Sequence, residues 1–219
     1  MLQKSTIEFL KKLKKNNNKV WFDDHREEYL KAKTDFETLV EFSIDQLAKL
    51  DPAYGLLRVR DCVFRINRDV RFSKDKSPYK TNFGAGFTIG GKKSPYAGFY
   101  IHLEPGNSFI GGGSWMPGPP VLSAIRQEID YHAEEFKKLV EGKKFKQHFG
   151  SLSAEDRLKN PPKGYAADHI AVEYLKNKSF VAGKKISDEI FLEKAAKKEI
   201  MTCFETIAPL ISFLNRAMA

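Results

Sequence analysis

Several signatures are missing from this 219-residue sequence, and each absence removes a class of function. There are only two cysteines, Cys62 and Cys203, so no disulfide framework can staple the fold; far apart in sequence, they are expected as buried free thiols. None of the five histidines, His25, His102, His132, His148 and His169, falls in a His-x-x-x-His pair, and no Cys-x-x-Cys occurs. No metal site is therefore assigned, although His102 with Glu104 and Asp168 with His169 would offer ligands if the fold brought them together. No run of about 18 apolar residues exists to span a bilayer, so no membrane partner is expected. The first residues, Met1 to Ser5, lead into a lysine-rich amphipathic pattern rather than an apolar export segment, and a cytoplasmic location is expected. Repeats, low-complexity linkers and a composition break are also lacking, which predicts a single domain over residues 1–219.

Three partial motifs are set aside. Gly86-Phe87-Thr88-Ile89-Gly90-Gly91-Lys92 has P-loop spacing up to its lysine, but Lys93 stands where Ser or Thr is needed and no helix follows. Ser73-Lys74-Asp75-Lys76 has Ser-x-x-Lys spacing in a loop, where Ser and Lys cannot share a helical turn. Gly111-Gly112-Gly113 could supply amides to an oxyanion, but no Gly-x-Ser-x-Gly nucleophile elbow accompanies it.

Acidic residues are also in short supply. With 28 against 37 basic residues the net charge is +9, much of the excess being scattered lysine pairs of the kind that solvate helix faces. The 17 phenylalanines predict an aromatic-rich core. Three- and four-residue apolar spacing predicts helices over about 5–15 and from Asp23 to Leu50, over 120–130, 133–141 and 143–149, from Asp168 to Leu175, and from Ser187 to the C-terminus with a kink or break at Pro209. Alternation predicts strands. The expected fold class is α+β: an antiparallel sheet, with a meander at about 82–114 and strands at about 56–67 and 178–183, packed against N-terminal and C-terminal helices.

Charge concentrates in one place. Residues 65–81 carry Arg65, Arg68, Arg71, Lys74, Lys76 and Lys80 against Asp69 and Asp75, with Phe72 and Tyr79 interleaved. Arginine forks and lysine ammoniums, with hydroxyls between them, suit phosphate or carboxylate oxygens. The anion-binding candidates are Arg65, Arg68, Arg71, Ser73, Lys76, Tyr79 and Lys80. The competing reading is that the arginines pair with Glu27, Glu28 or Glu37 of the long helix, which would make the loop structural. Beyond this stretch, a turn at Pro105-Gly106 would set His102 opposite Phe109 and Tyr100 opposite Gly111. Tyr100, His102 and Glu104 then share a face beside bare glycines. His102 and Glu104 are the candidate catalytic pair, and Tyr100, Gly111, Gly113 and Trp115 the candidate pocket wall.

The run Arg68-Asp69-x-Arg71-Phe72-Ser73-Lys74-Asp75-Lys76-x-Pro78-Tyr79-Lys80-Thr81 resembles the hallmark of the domain-of-unknown-function family 2461, conserved hypothetical proteins of bacteria and fungi. Other segments resemble that family in the same order: Asn16-Asn17-Asn18 with Trp21-Phe22, Tyr100-x-His102-Leu103-Glu104-Pro105-Gly106, Gly111-Gly112-Gly113-x-Trp115-x-Pro117, Leu158-Lys159-x-Pro161-Pro162-x-Gly164, Asp168-His169, Lys178-Ser179-Phe180, and Pro209-Leu210 with Phe213-Leu214-Asn215. The resemblance implies one domain and transfers no activity. The expectation is a protein that binds an anionic, phosphorylated or nucleotide-like ligand at loop 65–81 beside the 97–114 hairpin, either as an enzyme or as a binding protein. Nucleic-acid binding and a purely structural loop stand as alternatives. No cofactor is named by any pattern.

Overall fold

Apolar spacing sets the N-terminal helices. The computed structural model describes residues 1–218. In α1 (Lys4–Lys15), Ile7, Leu10 and Leu13 are buried with Phe9 while the lysines face out. Its N-cap is Gln3, whose side chain makes no capping bond, although Ser5 and Thr6 nearby are the residue types that cap helices. Thr6 instead donates its hydroxyl to Asp35 at 2.5 Å, the carboxylate that also accepts the Gln3 N–H at 2.8 Å. Asn18 caps α2 (Lys19–Asp24) by accepting the Trp21 N–H at 3.0 Å. The helix expected from Asp23 is broken at His25, whose ring stacks on Trp21, and α3 runs from Arg26 to Leu50.

The expected strand at 56–67 does not form. A 3-10 turn over Pro52–Leu56 leads into the one-turn helix α4 (Val59–Cys62). The local cause is Asp61, which accepts the Arg58 main-chain N–H at 3.3 Å and its guanidinium at 2.8 Å, closing a helical turn where the Val and Leu content suggested extension. Only two isolated antiparallel bridges remain, Val63 to Ala85 and Asn67 to Tyr79.

The fold class is α+β. The four strands β1 (Phe83–Phe87), β2 (Gly98–Leu103), β3 (Phe109–Ser114) and β4 (Phe180–Lys185) form one antiparallel sheet in the order β1-β2-β3-β4. Gly90 and Gly91 both have φ of 84°, which turns the chain between β1 and β2. The Asn107 N–H donates to the Glu104 carbonyl at 2.8 Å, closing the expected turn on Pro105-Gly106.

The chain divides into two compact units. The first holds residues 1–92, 100–110 and 185–201, and the second holds the remainder. In the first unit, α3 supports β1 through the Phe36 and Phe83 rings, 5.4 Å apart, and Phe9, Phe22 and Tyr29 complete an aromatic cluster. Cys62 is buried there, its thiol pushed up to about 11 by that burial, and neither cysteine is in a disulfide.

The second unit contains α5 (Pro119–Tyr131), α6 (Ala133–Glu141) and α7 (Lys143–Phe149), close to the expected bounds, and α8 (Val172–Leu175), which starts four residues after the expected Asp168. Phe136 meets Phe180 and Phe213, and Phe99 lies 4.9 Å from Phe204. The final helix is split by extended backbone at Glu193 into α9 (Asp188–Leu192) and α10 (Ala195–Arg216). Pro209 was expected to kink or interrupt the last helix; α10 continues through it. A proline removes one i→i−4 bond, and both Pro209 and Glu205, whose carbonyl loses that partner, are exposed. Meanwhile Ile207, Leu210, Ile211 and Leu214 are buried and hold the turn. Among the described residues no helix is long and apolar enough to cross a membrane.

Candidate functional site

The basic stretch is a closed loop in the first unit. Its base is a short antiparallel pairing: the Arg68 N–H donates to the Pro78 carbonyl at 2.9 Å, and the Lys80 N–H to the Ile66 carbonyl at 2.8 Å. Tyr79 is buried and stacks on Phe22, ring centres 3.9 Å apart. Asn17 completes the clamp. Its side-chain amide donates to the Tyr79 carbonyl at 2.9 Å and its oxygen accepts the Tyr79 N–H at 3.1 Å, so it stands in for one peptide of a neighbouring strand. Nothing local in the sequence marks Asn17 for this role; the Asn16-Asn17-Asn18 run reads only as a helix terminator.

Inside the loop much of the charge is already matched. Asp75 accepts the Ser77 hydroxyl at 2.6 Å and N–H at 2.9 Å, and pairs with the Arg68 guanidinium; these bonds hold its carboxyl down to about 2. Arg68 also donates to the Ser77 carbonyl at 3.2 Å and the Ser73 hydroxyl at 3.3 Å. Arg71 forks onto both oxygens of Asp69, at 3.0 and 2.6 Å, and Lys76 reaches the Val70 carbonyl at 3.0 Å. Among the described residues the loop's arginines do not pair with Glu27, Glu28 or Glu37 of the long helix; Glu28 pairs with Lys12 and Glu37 with Lys33. Among the described residues Arg65, Lys74 and Lys80 are left without a carboxylate.

A cleft of about 380 Å³ opens beside the clamp. Lys14 and Asn17 line it from the end of α1, Arg68, Asp75 and Ser77 from the loop, and Tyr79, Lys80, Thr81 and Asn82 from the returning chain. Three cations face one carboxylate. Lys80 is half-buried, and desolvation, then the neighbouring charges of Arg65 and Lys92, lower its pKa from the usual lysine value. Lys80 and Lys92 lie 5.6 and 5.7 Å from the centre of the Phe64 ring. The candidates Arg65, Arg71, Ser73 and Lys76 do not line the cleft, whereas Arg68, Tyr79 and Lys80 do.

Two cleft residues also touch a polar line along β2. Thr81 donates its hydroxyl to Glu104 Oε1 at 3.0 Å, and the Asn82 amide lies 3.5 Å from His102 Nδ1. Glu104 Oε2 accepts from Asn107 at 3.1 Å and from His102 Nε2 at 3.3 Å. Tyr100 Oη is 3.2 Å from His102 Nδ1, and the His102 ring stacks on Phe109, centres 4.8 Å apart. A carboxylate only accepts, so Nε2 carries the ring proton; Nδ1 is then the acceptor for the Tyr100 O–H and the Asn82 N–H. Burial lowers the His102 pKa against the opposing pull of Glu104, leaving the imidazole neutral at pH 7. The 3.3 Å contact is thus a hydrogen bond and not an ion pair. Burial works to raise the Glu104 carboxyl, but the bonds from Asn107, His102 and Thr81 outweigh it and hold it below its ordinary value. Burial raises the Tyr100 phenol.

The remaining expected wall residues have other surroundings, in the second unit. A Cβ at Gly111 would come 2.1 Å from the Ala182 carbonyl oxygen, and one at Gly113 2.0 Å from that of Phe180. The chain that approaches these bare positions is β4. Trp115 is 73% exposed and does not line the cleft. His169 pairs with Asp130 at 3.1 Å rather than with Asp168, and among the described residues no group of three or more His, Cys, Asp or Glu gathers to hold a metal ion.

No curated protein and no solved structure matches the chain. A family model does, over residues 5–213, from the first turn of α1 to the last of α10 and through every residue of the clamp, the cleft and the β2 polar line. The chain belongs to the family described as conserved hypothetical protein (DUF2461).

Proposed function

We propose that the first unit binds a small anionic ligand, phosphorylated or nucleotide-like, in the cleft beside loop 65–81. The observation that carries this reading is Lys80. It is a half-buried ammonium with no carboxylate, lining a cleft with Lys14 and with the side-chain amides of Asn17 and Asn82, each of which has a second N–H to donate. Desolvating an unpaired cation is unfavourable, and an arriving oxyanion removes that cost. Arg68 holds the cleft wall through Asp75, and Arg65 and Lys76 add to the surrounding positive field. An enzymatic role rests on His102 as the proton acceptor and Glu104 as the group that orients it, with Asn82 and Thr81 joining the pair to the cleft.

A second reading has its own observation. Phe72 is 95% exposed at the loop tip with the Arg71 guanidinium 5.9 Å from its ring centre, an arrangement suited to stacking a base of single-stranded nucleic acid. One set of titrations separates the two. Calorimetry with inorganic phosphate, pyrophosphate, nucleoside mono- and triphosphates and a single-stranded oligonucleotide is expected to give heat with the small anions, reduced at least tenfold in affinity by Lys80→Gln. Binding of the oligonucleotide alone, insensitive to Lys80→Gln and steeply salt-dependent, would favour the Phe72 reading. Silence across the whole panel at millimolar ligand would remove both.

A further inference from the structure

Lys80 differs from the other lysines of the basic stretch in how it is held. Lys74 and Lys76 sit on the exposed loop, and the Lys76 ammonium is already engaged by the Val70 carbonyl. Lys80 follows the clamped Tyr79, has its own N–H tied to Ile66, and lines the cleft. Beside it the Lys92 ammonium is fixed by the Arg60 and Val63 carbonyls at 2.9 and 2.5 Å, over the same Phe64 ring. A second cation close by, a partly desolvating wall and no carboxylate are the conditions under which a lysine becomes a nucleophile. An ordinary lysine, with a pKa of about 10.4, is unprotonated only about once in a few thousand molecules at pH 7. Desolvation and the charges of Arg65 and Lys92 raise that fraction, against the modest pull of the Phe64 ring on the cation.

We propose that Lys80 forms an imine with the carbonyl carbon of a small aldehyde or ketone that also carries a phosphate or carboxylate. This rests on the anion-binding reading of the same cleft, and names the class of ligand. The Nζ lone pair attacks the carbonyl carbon, and the carbonyl oxygen takes up the proton that nitrogen releases. Loss of that oxygen as water then leaves a C=N bond. Amine and carbonyl give imine and water, with no oxidant or reductant. The oxyanion of the ligand sits with Lys14 and the amides of Asn17 and Asn82, which lets a carbonyl a few bonds away approach Lys80.

The test uses the full chain with pyridoxal phosphate and, in parallel, pyridoxal, each followed by borohydride reduction and peptide mapping by mass spectrometry. At substoichiometric pyridoxal phosphate, the Lys80 peptide is expected to carry at least tenfold more label than those of Lys74 or Lys76. Pyrophosphate should protect it, pyridoxal should label it at least tenfold less, and its labelling should reach half-maximum at lower pH than that of Lys74. Lys80→Arg should abolish this label, with a pyrophosphate affinity in the calorimeter between those of the parent and of Lys80→Gln. Label spread evenly over Lys74, Lys76 and Lys80, with pyrophosphate still binding, overturns the imine and leaves the anion site standing. Preferential labelling of Lys80 by both reagents alike, with no pyrophosphate binding or protection, keeps the reactive amine and overturns the anion site.

Discussion

Of the three histidine–carboxylate pairs among the described residues, His132 with Glu128 is the longest at 3.7 Å; the other two, His102 with Glu104 at 3.3 Å and His169 with Asp130 at 3.1 Å, are of nearly equal length and are built for different work. In the second unit His169 Nδ1 accepts the Ala171 N–H at 3.1 Å while Nε2 faces Asp130. Both nitrogens are taken, one by the main chain entering α8, so the ring pins a turn and has no lone pair left to offer. In the first unit the second nitrogen of His102 faces a hydroxyl and a side-chain amide, Tyr100 and Asn82, and Asn82 also lines a cleft. A hydroxyl can donate or accept, so that line can move a proton where the other cannot. The pair itself is therefore uninformative; the partner of the far nitrogen separates a structural histidine from a candidate catalytic one.

The largest expected effect comes from removing the space that the His102 line needs. A Cβ at Gly84 would lie 2.6 Å from the Tyr100 hydroxyl, whereas at Gly86 the nearest atom, on Phe64, is 3.4 Å away. Gly84→Ala should cost about 1–3 kcal/mol by overpacking and break the Tyr100–His102 bond, with Gly86→Ala much milder. Urea unfolding measures both. If residues 1–219 act as the single domain we infer, each variant unfolds in one transition; a loss confined to the first of two transitions would count against that inference.

Next comes a contrast in acid. Burial sets the His102 pKa below its unfolded value of about 6.5, so the unfolded chain binds the extra proton first. Stability from this group is complete above pH 6.5 and is lost as pH falls from there through the folded value, a window above the range where carboxylates such as Glu104 and Asp75 titrate. His102→Gln should flatten the urea-midpoint profile as pH falls below about 6.5. His169→Asn should cost about 1 kcal/mol of unfolding free energy through the lost hydrogen bonds. An unchanged slope in the His102 variant would overturn the role assigned to that pair.

How far these differences were legible in the sequence follows the range of the interactions behind them. Alternation of Phe83, Ala85 and Phe87, and of Phe99, Ile101 and Leu103, marks the strands, and Gly142 and Gly150 punctuate the helices, because such patterns act within a few residues. The β2 polar line was likewise readable from the two-residue period that sets Tyr100, His102 and Glu104 on one side. The Asn17 clamp on Tyr79 joins positions 62 residues apart, and the His169–Asp130 pair depends on where α5 and α8 meet, so neither leaves a local trace. The 56–67 segment misled because its Val and Leu content favours a strand while one carboxylate, Asp61, closes a turn. The charge count in 65–81 identified the region; which cations stay available depends on Asp69 and Asp75 each reaching a particular arginine.

The smallest expected effect tests that last point inside the loop, where two arginines each hold one aspartate and differ in everything else. Arg71 is exposed, forks onto Asp69 two residues away and lies near only the exposed Phe72 ring besides, so the pair is screened by water. Arg68 is largely covered and ties Asp75, Ser77 and Ser73 across the cleft mouth. Arg71→Ala should leave the melting temperature within error of the parent and weaken anion binding only slightly, and only at low salt. Arg68→Ala should lower the melting temperature by about 2–4 °C and weaken pyrophosphate binding at every salt concentration, because the cleft wall loses its brace. If the two variants behave alike, the loop is an undifferentiated patch of charge, and the case for a shaped anion site beside Lys80 is lost.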